Sequence, residues 1–388
     1  MEIIKAGVIG IGFIGPIHIE SLHRLGNVEV VALAGNNAAP DEKAKLMGIQ
    51  KTYGDYKELL ADPVIQVVHI CTPNNMHFQM VKEALEAGKH VVCEKPLTLN
   101  SSEARELVKL AKTKGKANAI SFNVRFYPLI HHAKEMIKRG DLGEIFAING
   151  SYQQDWLFLQ TDYSWRLERK FSGDSRAIAD IGSHWFDAIE FITGKKVVKV
   201  CADFATFHST RKKPLKPVET YSGKVLESKD YKDVPIDTED YATVLLRFNN
   251  GAHGSLTVNQ MAAGRKNRIY FEIYGSKASI SFDSERPNEM WIGRRDGNNE
   301  IVMKDPSLLY PAAASINSYP GGHNEGLADT FKQLMKKFYK YIAEKGYEND
   351  GEIQFPTFEA GLRAMEICDT IVKSAKQEKW VIVKENIV

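Results

Sequence analysis

A lysine, an aspartate and a histidine carry the chemistry this sequence is equipped for. Lys95 follows Glu94 and precedes Pro96 at the end of the apolar run His90-Val91-Val92-Cys93. So short a run, stopped by proline, reads as a buried parallel strand. In open α/β sheets ligands bind beyond the carboxyl ends of the strands, which is where Glu94 and Lys95 then stand. Pro96 biases Lys95 away from the helical region and predicts an extended lysine at the strand mouth. A turn that merely ends a strand is the alternative. Asp180 and His184 lie four residues apart in Asp180-Ile181-Gly182-Ser183-His184. A helix starting near Ser183 brings them within reach across its first turn, a carboxylate beside an imidazole. The alternative there is a capped helix with a core histidine. Together the three groups suit proton abstraction from an alcohol: His184 as the base, Asp180 orienting it, and Lys95 donating to the oxygen as it becomes an alkoxide.

Such an oxidation needs a hydride acceptor, and the start of the chain offers a place for one. Gly10-Ile11-Gly12-Phe13-Ile14-Gly15 is a G-x-G-x-x-G set between a strand, Lys5 to Ile9, and an amphipathic stretch to Leu25. In that context the glycines bring backbone amides at a helix N-terminus up to a pyrophosphate. After a second strand, Val28 to Leu33, an NAD site normally presents a carboxylate to the ribose. Here Gly35, Asn36 and Asn37 stand there instead, so nothing repels a 2′-phosphate, yet no arginine follows to bind one. The expectation is a relaxed cofactor preference leaning to NAD, with NADP accepted. A buried run from Val64 to Cys71 ends in Thr72-Pro73-Asn74, with His77 beyond and a helix from about Phe78 to Ala87. The polar groups of that turn either face a cofactor or simply cap the helix. A helix from about Ser102 to Lys114 and a strand from Ala117 to Phe122 complete a six-stranded, doubly wound domain over residues 1–122.

From Asn123 the pattern changes, and residues 123–388 read as a second α/β domain. A helix from about Leu129 to Arg139 precedes a strand through Phe146 to Tyr152. Period-two segments recur at Val197–Phe207, Ala242–Phe248, Gly254–Gln260, Arg268–Tyr274 and Ala278–Phe282, which predicts a large, mainly antiparallel open sheet. A lysine- and proline-rich excursion at about 209–237 and a loop at about 305–322 interrupt it. Two helices, from about Asn324 to Ala343 and Phe358 to Ala375, close the chain.

At 388 residues the chain exceeds what one core supports. Its net charge of +2 carries no polyelectrolyte signal, and Arg211-Lys212-Lys213-Pro214 reads as a solvated loop, so no nucleic-acid partner is expected. Four cysteines without a C-x-x-C pair point to reduced thiols and to no metal site. No apolar stretch approaches a membrane span, and Met1 to Lys5 runs straight into a strand pattern, so a cytoplasmic location and no membrane partner are expected.

The glycine set, Glu94-Lys95-Pro96 and Asp180-x-x-x-His184, in this order and at these distances, resemble the Gfo/Idh/MocA family of sugar and polyol dehydrogenases. The resemblance implies a nicotinamide-binding Rossmann domain followed by an α/β domain on an open sheet, and a homodimer or homotetramer using that sheet. It maps the family's lysine to Lys95 and the aspartate and histidine of its inositol-dehydrogenase-like members to Asp180 and His184. It also places Thr72, Pro73, Asn74, His77, Glu94, Lys95, Asn123, Trp165 and Arg166 on the cofactor. The substrate implied is a sugar, anhydrosugar or polyol, oxidised at a secondary hydroxyl such as pyranose carbon 3. Trp156 and Trp165 offer ring faces to it, and Gln154, Arg125, Arg166 and His323 offer polar contacts, beside Lys95, Asp180 and His184. Two other classes share the fold: glycosidases that oxidise carbon 3 transiently, and binding proteins that regulate. The latter do not need all three reactive residues together.

Overall fold

The structure is a computed structural model that describes residues 2–35, 40–216, 228–349 and 351–384; Asn36 and Asn37 lie outside the described residues. In chain order the elements are β1 (Ile4–Ile9), α1 (Ile14–His23), β2 (Val28–Ala34), α2 (Pro40–Leu46), β3 (Lys51–Tyr53), α3 (Tyr56–Ala61), β4 (Val67–Ile70), α4 (Asn74–Glu86), β5 (His90–Cys93), α5 (Ser101–Lys114), β6 (Asn118–Ile120), α6 (Pro128–Lys138), β7 (Ile145–Gln153), α7 (Arg169–Ser172), α8 (Ser183–Thr193), β8 (Val197–Ala205), β9 (Thr210–Pro214), β10 (Tyr231–Pro235), β11 (Tyr241–Phe248), β12 (His253–Asn259), β13 (Arg268–Gly275), β14 (Ala278–Asp283), β15 (Glu289–Arg294), β16 (Glu300–Met303), α9 (Pro311–Ala314), α10 (Leu327–Ala343), α11 (Phe358–Gln377) and β17 (Val381–Ile382).

The chain divides into two compact units. The first holds the segment through Asn123 together with Leu327–Met365. Its sheet is parallel throughout, in the order β3-β2-β1-β4-β5-β6. The strand order reverses between β1 and β4, the position at which doubly wound sheets bind ligands, and β5 is the next strand along. β4 and β5 are buried at every residue, as parallel strands covered on both faces must be. Helix α10, expected in the second domain, instead packs on α1. Arg24 Nη2 donates to Asp329 Oδ1 at 2.5 Å, and the Phe331 ring lies 5.4 Å from that of His18. The start of α11 also belongs here: a Cβ on Gly361 would stand 2.9 Å from Leu97 and Ile120, so glycine is what lets that helix lie against the turn after β5.

The second unit holds Val124–Gly326 and the segment from Glu366. Its nine-stranded sheet runs β16-β15-β14-β13-β7-β12-β11-β8-β17 and is antiparallel except where β12 pairs β7 in parallel. Strands β11 to β14 alternate buried and less buried residues, the mark of a sheet packed on one face. Helix α8 lies on that face, anchored by fully buried Trp185, whose indole N–H donates to the Tyr270 carbonyl at 3.0 Å. The indole fits because Gly150 has no Cβ; one there would sit 2.3 Å from Nε1. Part of the excursion predicted at 209–237 is an antiparallel ribbon of β9 and β10, and residues 217–227 of it lie outside the described residues. Arg211, expected in a solvated loop, is fully buried at the start of this ribbon. Cys71, Cys93 and Cys368 are buried free thiols, while Cys201 is half-buried. Among the described residues no helix is long and apolar enough to cross a membrane.

Candidate active site

The first unit gathers its functional residues at the ends of adjacent strands. Gly10 follows β1 with φ +95°, and a Cβ on it would stand 2.6 Å from the Cys71 carbonyl oxygen, so the turn requires glycine. A Cβ on Gly15 would meet the Gly10 carbonyl oxygen at 2.2 Å. Among the described residues no heavy atom lies within 4 Å of a Cβ position on Gly12. Phe13 leads into α1 with no side-chain cap and no acidic residue in the first turn, so the helix offers uncapped amides and a positive end. One glycine makes the turn, one leaves room and one permits close packing, which are the three roles a dinucleotide loop requires.

Beyond β5, Glu94 is tied down from several directions. Its Oε1 accepts from His18 Nε2 at 2.9 Å, and its Oε2 accepts from the Lys95 amide at 3.2 Å. His18 Nδ1 faces His69 Nδ1 at 2.9 Å, and His69 Nε2 meets Tyr339 Oη at 2.7 Å. Burial pushes Glu94 upward, but the His18 hydrogen bond and charge and the nearby Lys95 outweigh it and hold the carboxyl below its ordinary value. Burial, then His18, holds the His69 imidazole well below its own. Hydrogen bonds thus run without a break from Tyr339 through His69 and His18 to Glu94. Lys95 is half-buried, and its peptide bond to Pro96 is cis. His77, expected to line the cofactor, has both ring nitrogens on the chain itself, Nδ1 at 2.8 Å from the Pro96 carbonyl and Nε2 at 2.9 Å from that of Thr72. It ties the end of β4 to the turn after β5. Pro73 is the N-cap and Asn74 the first residue of α4, which begins four residues before its predicted start. Asn123 Nδ2 donates to Thr330 Oγ1 at 2.8 Å.

In the second unit, α8 starts at Ser183 as expected, but Asp180 precedes it in a π-helical turn, Ile178–Gly182. Such turns recur at functional sites because they re-aim one side chain. Asp180 and His184 are both buried. Asp180 Oδ2 accepts from Gln260 Nε2 at 3.0 Å, and Arg166 Nε lies 3.5 Å from Oδ1. Arg166 also covers the Trp165 ring, 4.3 Å from its centroid. The His184 ring lies 6.2 Å from that of Tyr152, whose hydroxyl donates to Asn267 Oδ1 at 2.9 Å. Asn267 Oδ1 also accepts from Gln154 Nε2 at 2.7 Å, and Gln154 Oε1 accepts from Trp156 Nε1 at 2.8 Å. Trp156 packs against Leu157, Leu167 and Ile236. Two expected substrate residues stand apart from this cluster. Arg125 makes a two-pronged pair with Asp187, at 2.7 and 2.5 Å, and His323 is exposed on a loop, its Nδ1 3.3 Å from the Gly321 carbonyl. Gln260 and Asn267 were not foreseen as site residues. Gln260 is 80 positions from Asp180, and no local pattern joins them.

The first unit thus defines a dinucleotide-binding fold, coupled in one chain to a unit with a buried carboxylate one turn before an imidazole. Residues 4–122 match the family described as "Oxidoreductase family, NAD-binding Rossmann fold", and residues 130–281 match "GFO/IDH/MocA C-terminal domain". The chain is 30% identical to levoglucosan dehydrogenase of Pseudarthrobacter phenanthrenivorans over 400 aligned residues that cover 99% of each protein. It is 30% identical to myo-inositol 2-dehydrogenase of Thermotoga maritima over 298 residues, 76% of this chain and 79% of that one. The solved complex of levoglucosan dehydrogenase with NADH and L-sorbose superposes with a TM-score of 0.88 at 30% identity over the whole of both chains. The chain belongs to the Gfo/Idh/MocA family of oxidoreductases, and its first unit is an NAD-binding Rossmann domain.

The glycine loop fits that cofactor, with Gly10, Gly12 and Gly15 and the first amides of α1 holding the pyrophosphate. Because a Cβ at Gly12 meets no atom of the described residues, Gly12→Val should leave stability within about 0.5 kcal/mol of the native chain. It should nevertheless weaken NADH binding by roughly tenfold or more, since the valine fills the space the loop leaves open. Titration of nucleotide fluorescence checks this; native affinity in a folded variant would move the cofactor elsewhere.

Proposed function

We propose that this protein oxidises a secondary hydroxyl of a sugar, anhydrosugar or polyol, carbon 3 of a pyranose being the favoured position, with NAD as acceptor. His184 takes the hydroxyl proton. Asp180, bonded by Gln260 and approached by Arg166, remains a carboxylate and steadies the imidazolium that forms. Lys95 donates to the oxygen as negative charge develops on it. Bound NAD supplies the hydride acceptor. The observation that carries this reading is the buried Asp180 carboxylate, one turn before His184 and met by donors on both oxygens. Similarity over 99% of levoglucosan dehydrogenase and 79% of myo-inositol 2-dehydrogenase supports the substrate class. The Gln154, Trp156 and Asn267 cluster, reaching His184 through Tyr152, supports Gln154 and Trp156 as the wall that meets the sugar. The proposal includes a cytoplasmic location and a homodimer or homotetramer formed through the open face of the nine-stranded sheet.

The test is reduction of NAD and NADP over a panel of pyranoses, levoglucosan and inositols. Turnover of glycosides with release of the aglycone and no net NADH would replace a dehydrogenase by a glycosidase. Cofactor preference is tested separately at Gly35, where, among the described residues, a Cβ would touch only Ile11, at 3.4 Å. Gly35→Asp places a carboxylate after β2 that repels a 2′-phosphate, so KM for NADP should rise by roughly tenfold while that for NAD stays near native. Equal penalties would mean that position 35 does not face the ribose.

A further inference from the structure

Asp180 is reached from far along the chain. Gln260 Nε2 donates to Asp180 Oδ2 at 3.0 Å, and Gln260 Oε1 accepts from Arg176 Nη1 at 2.8 Å. A guanidinium has donors only, which fixes the amide: oxygen toward Arg176, nitrogen toward Asp180. The nitrogen end is donor only as well. The Asp180 oxygen it meets must therefore accept.

The network continues inward. Arg176 Nη2 donates to Asp240 Oδ1 at 2.5 Å, and Arg211 Nη2 donates to the same oxygen at 2.8 Å. Arg176, Arg211, Asp240 and Gln260 are each at most 1% exposed. Two guanidinium groups on one carboxylate leave a positive charge over, in surroundings where water screens little. Glu239, the next acidic group along, accepts from the Arg176 and Ile178 amides and from Ser175 Oγ. Of the charged or titratable groups, Arg166 lies against Asp180, Arg176 reaches it through Gln260, and His184 follows it four positions on in the chain.

We propose that Gln260 is a positioning residue: it carries the positive field of the Arg176, Asp240 and Arg211 set to Asp180, keeping that carboxylate ionised and turned to serve His184. This rests on the reading of Asp180 and His184 given above. The test uses the full chain loaded with NAD, and levoglucosan or myo-inositol, whichever it oxidises. Gln260→Glu sets a second carboxylate against Asp180, so the two share a proton. The acidic limb of the kcat/KM profile should rise by about one pH unit or more, and kcat at neutral pH should fall by roughly ten- to a hundredfold. NADH binding followed by fluorescence should be unchanged. Gln260→Met, similar in length and without a titrating group, should lower kcat but shift the limb less, and it serves alone if the glutamate variant does not fold. A purely structural glutamine would alter the melting temperature and leave kcat and limb in place, and that result in both variants overturns the inference. Asp180→Asn separates the two claims. If it keeps native turnover, the site reading fails and takes this inference with it; if it loses turnover while both Gln260 variants retain theirs, only this inference fails.

Discussion

Lys95→Ala is expected to lose turnover by about 10²- to 10⁴-fold, the usual effect of removing a group that moves or stabilises a proton in the transition state. It should do so without unfolding the chain. What shapes the turn after β5 is the Glu94 carboxylate on the Lys95 amide, His77 on the Pro96 carbonyl and Leu97 under Gly361, none of which uses the lysine side chain. NADH affinity should accordingly stay near native while kcat falls. If Lys95 and His184 act on one hydroxyl, their losses will not multiply: the Lys95→Ala/His184→Ala double variant should be hardly worse than the poorer single one. Steady-state kinetics on the best sugar of the panel decides it. Near-native turnover in Lys95→Ala, or a double loss equal to the product of the singles, would falsify the joint role.

The second large effect is on stability. Asp240 Oδ1 accepts from both Arg176 and Arg211, and Oδ2 accepts from the amides of Phe207 and His208 at 2.8 and 3.2 Å. Asp240→Ala leaves two buried guanidinium groups without their anion and should destabilise by about 3–5 kcal/mol. Asn is no remedy, because whichever way it turns its NH₂ faces donors. Burial pushes the Asp240 carboxyl up, but Arg176, Arg211 and the His208 amide outweigh it and hold it below its ordinary value. The folded value is thus the depressed one. The stability it supplies is intact above the unfolded carboxyl's pKa of about 3.9 and is lost as the pH falls below that. Urea unfolding should show the gap between native chain and variant shrinking in acid, and a gap of less than about 1 kcal/mol at pH 7 would contradict this account.

What could be read from the sequence divides by distance along the chain. The glycine loop, the strand that leads to Lys95 and the helix starting at Ser183 are each set by residues within one turn or strand of one another, and the structure has them there, with β5 stopping at Cys93. Strand β3 is three half-exposed residues with no period to display. Helix α10 shows its amphipathic face plainly, yet such a face does not say which layer it covers, and here it covers α1 of the first unit. The network behind Asp180 was invisible for a related reason. Arg176, Arg211 and Asp240 look like ordinary surface charges one at a time, and only strand pairing brings them together. Arg125 shows the reverse limit: residue type offers it to the sugar, but residue type gives no sign of the Asp187 with which the structure pairs it.

The make-up of the first unit bears on how this protein is born. The row of hydrogen bonds from Glu94 ends on Tyr339, 270 positions beyond His69, and the Asn118 side chain on β6 caps the Phe358 amide, 240 positions on. At cellular rates of synthesis those partners emerge roughly ten to fifty seconds after the strands that need them. Throughout that interval the nascent Rossmann segment has buried imidazoles without their phenol and a β6 edge without the Pro356 carbonyl that pairs with Ile120. The second unit waits as well, for the segment from Glu366 that supplies β17. The usual order, in which the first domain made is the first to fold, therefore does not hold: the first half of the enzyme closes only once Leu327–Met365 has left the ribosome, and the second only once β17 has.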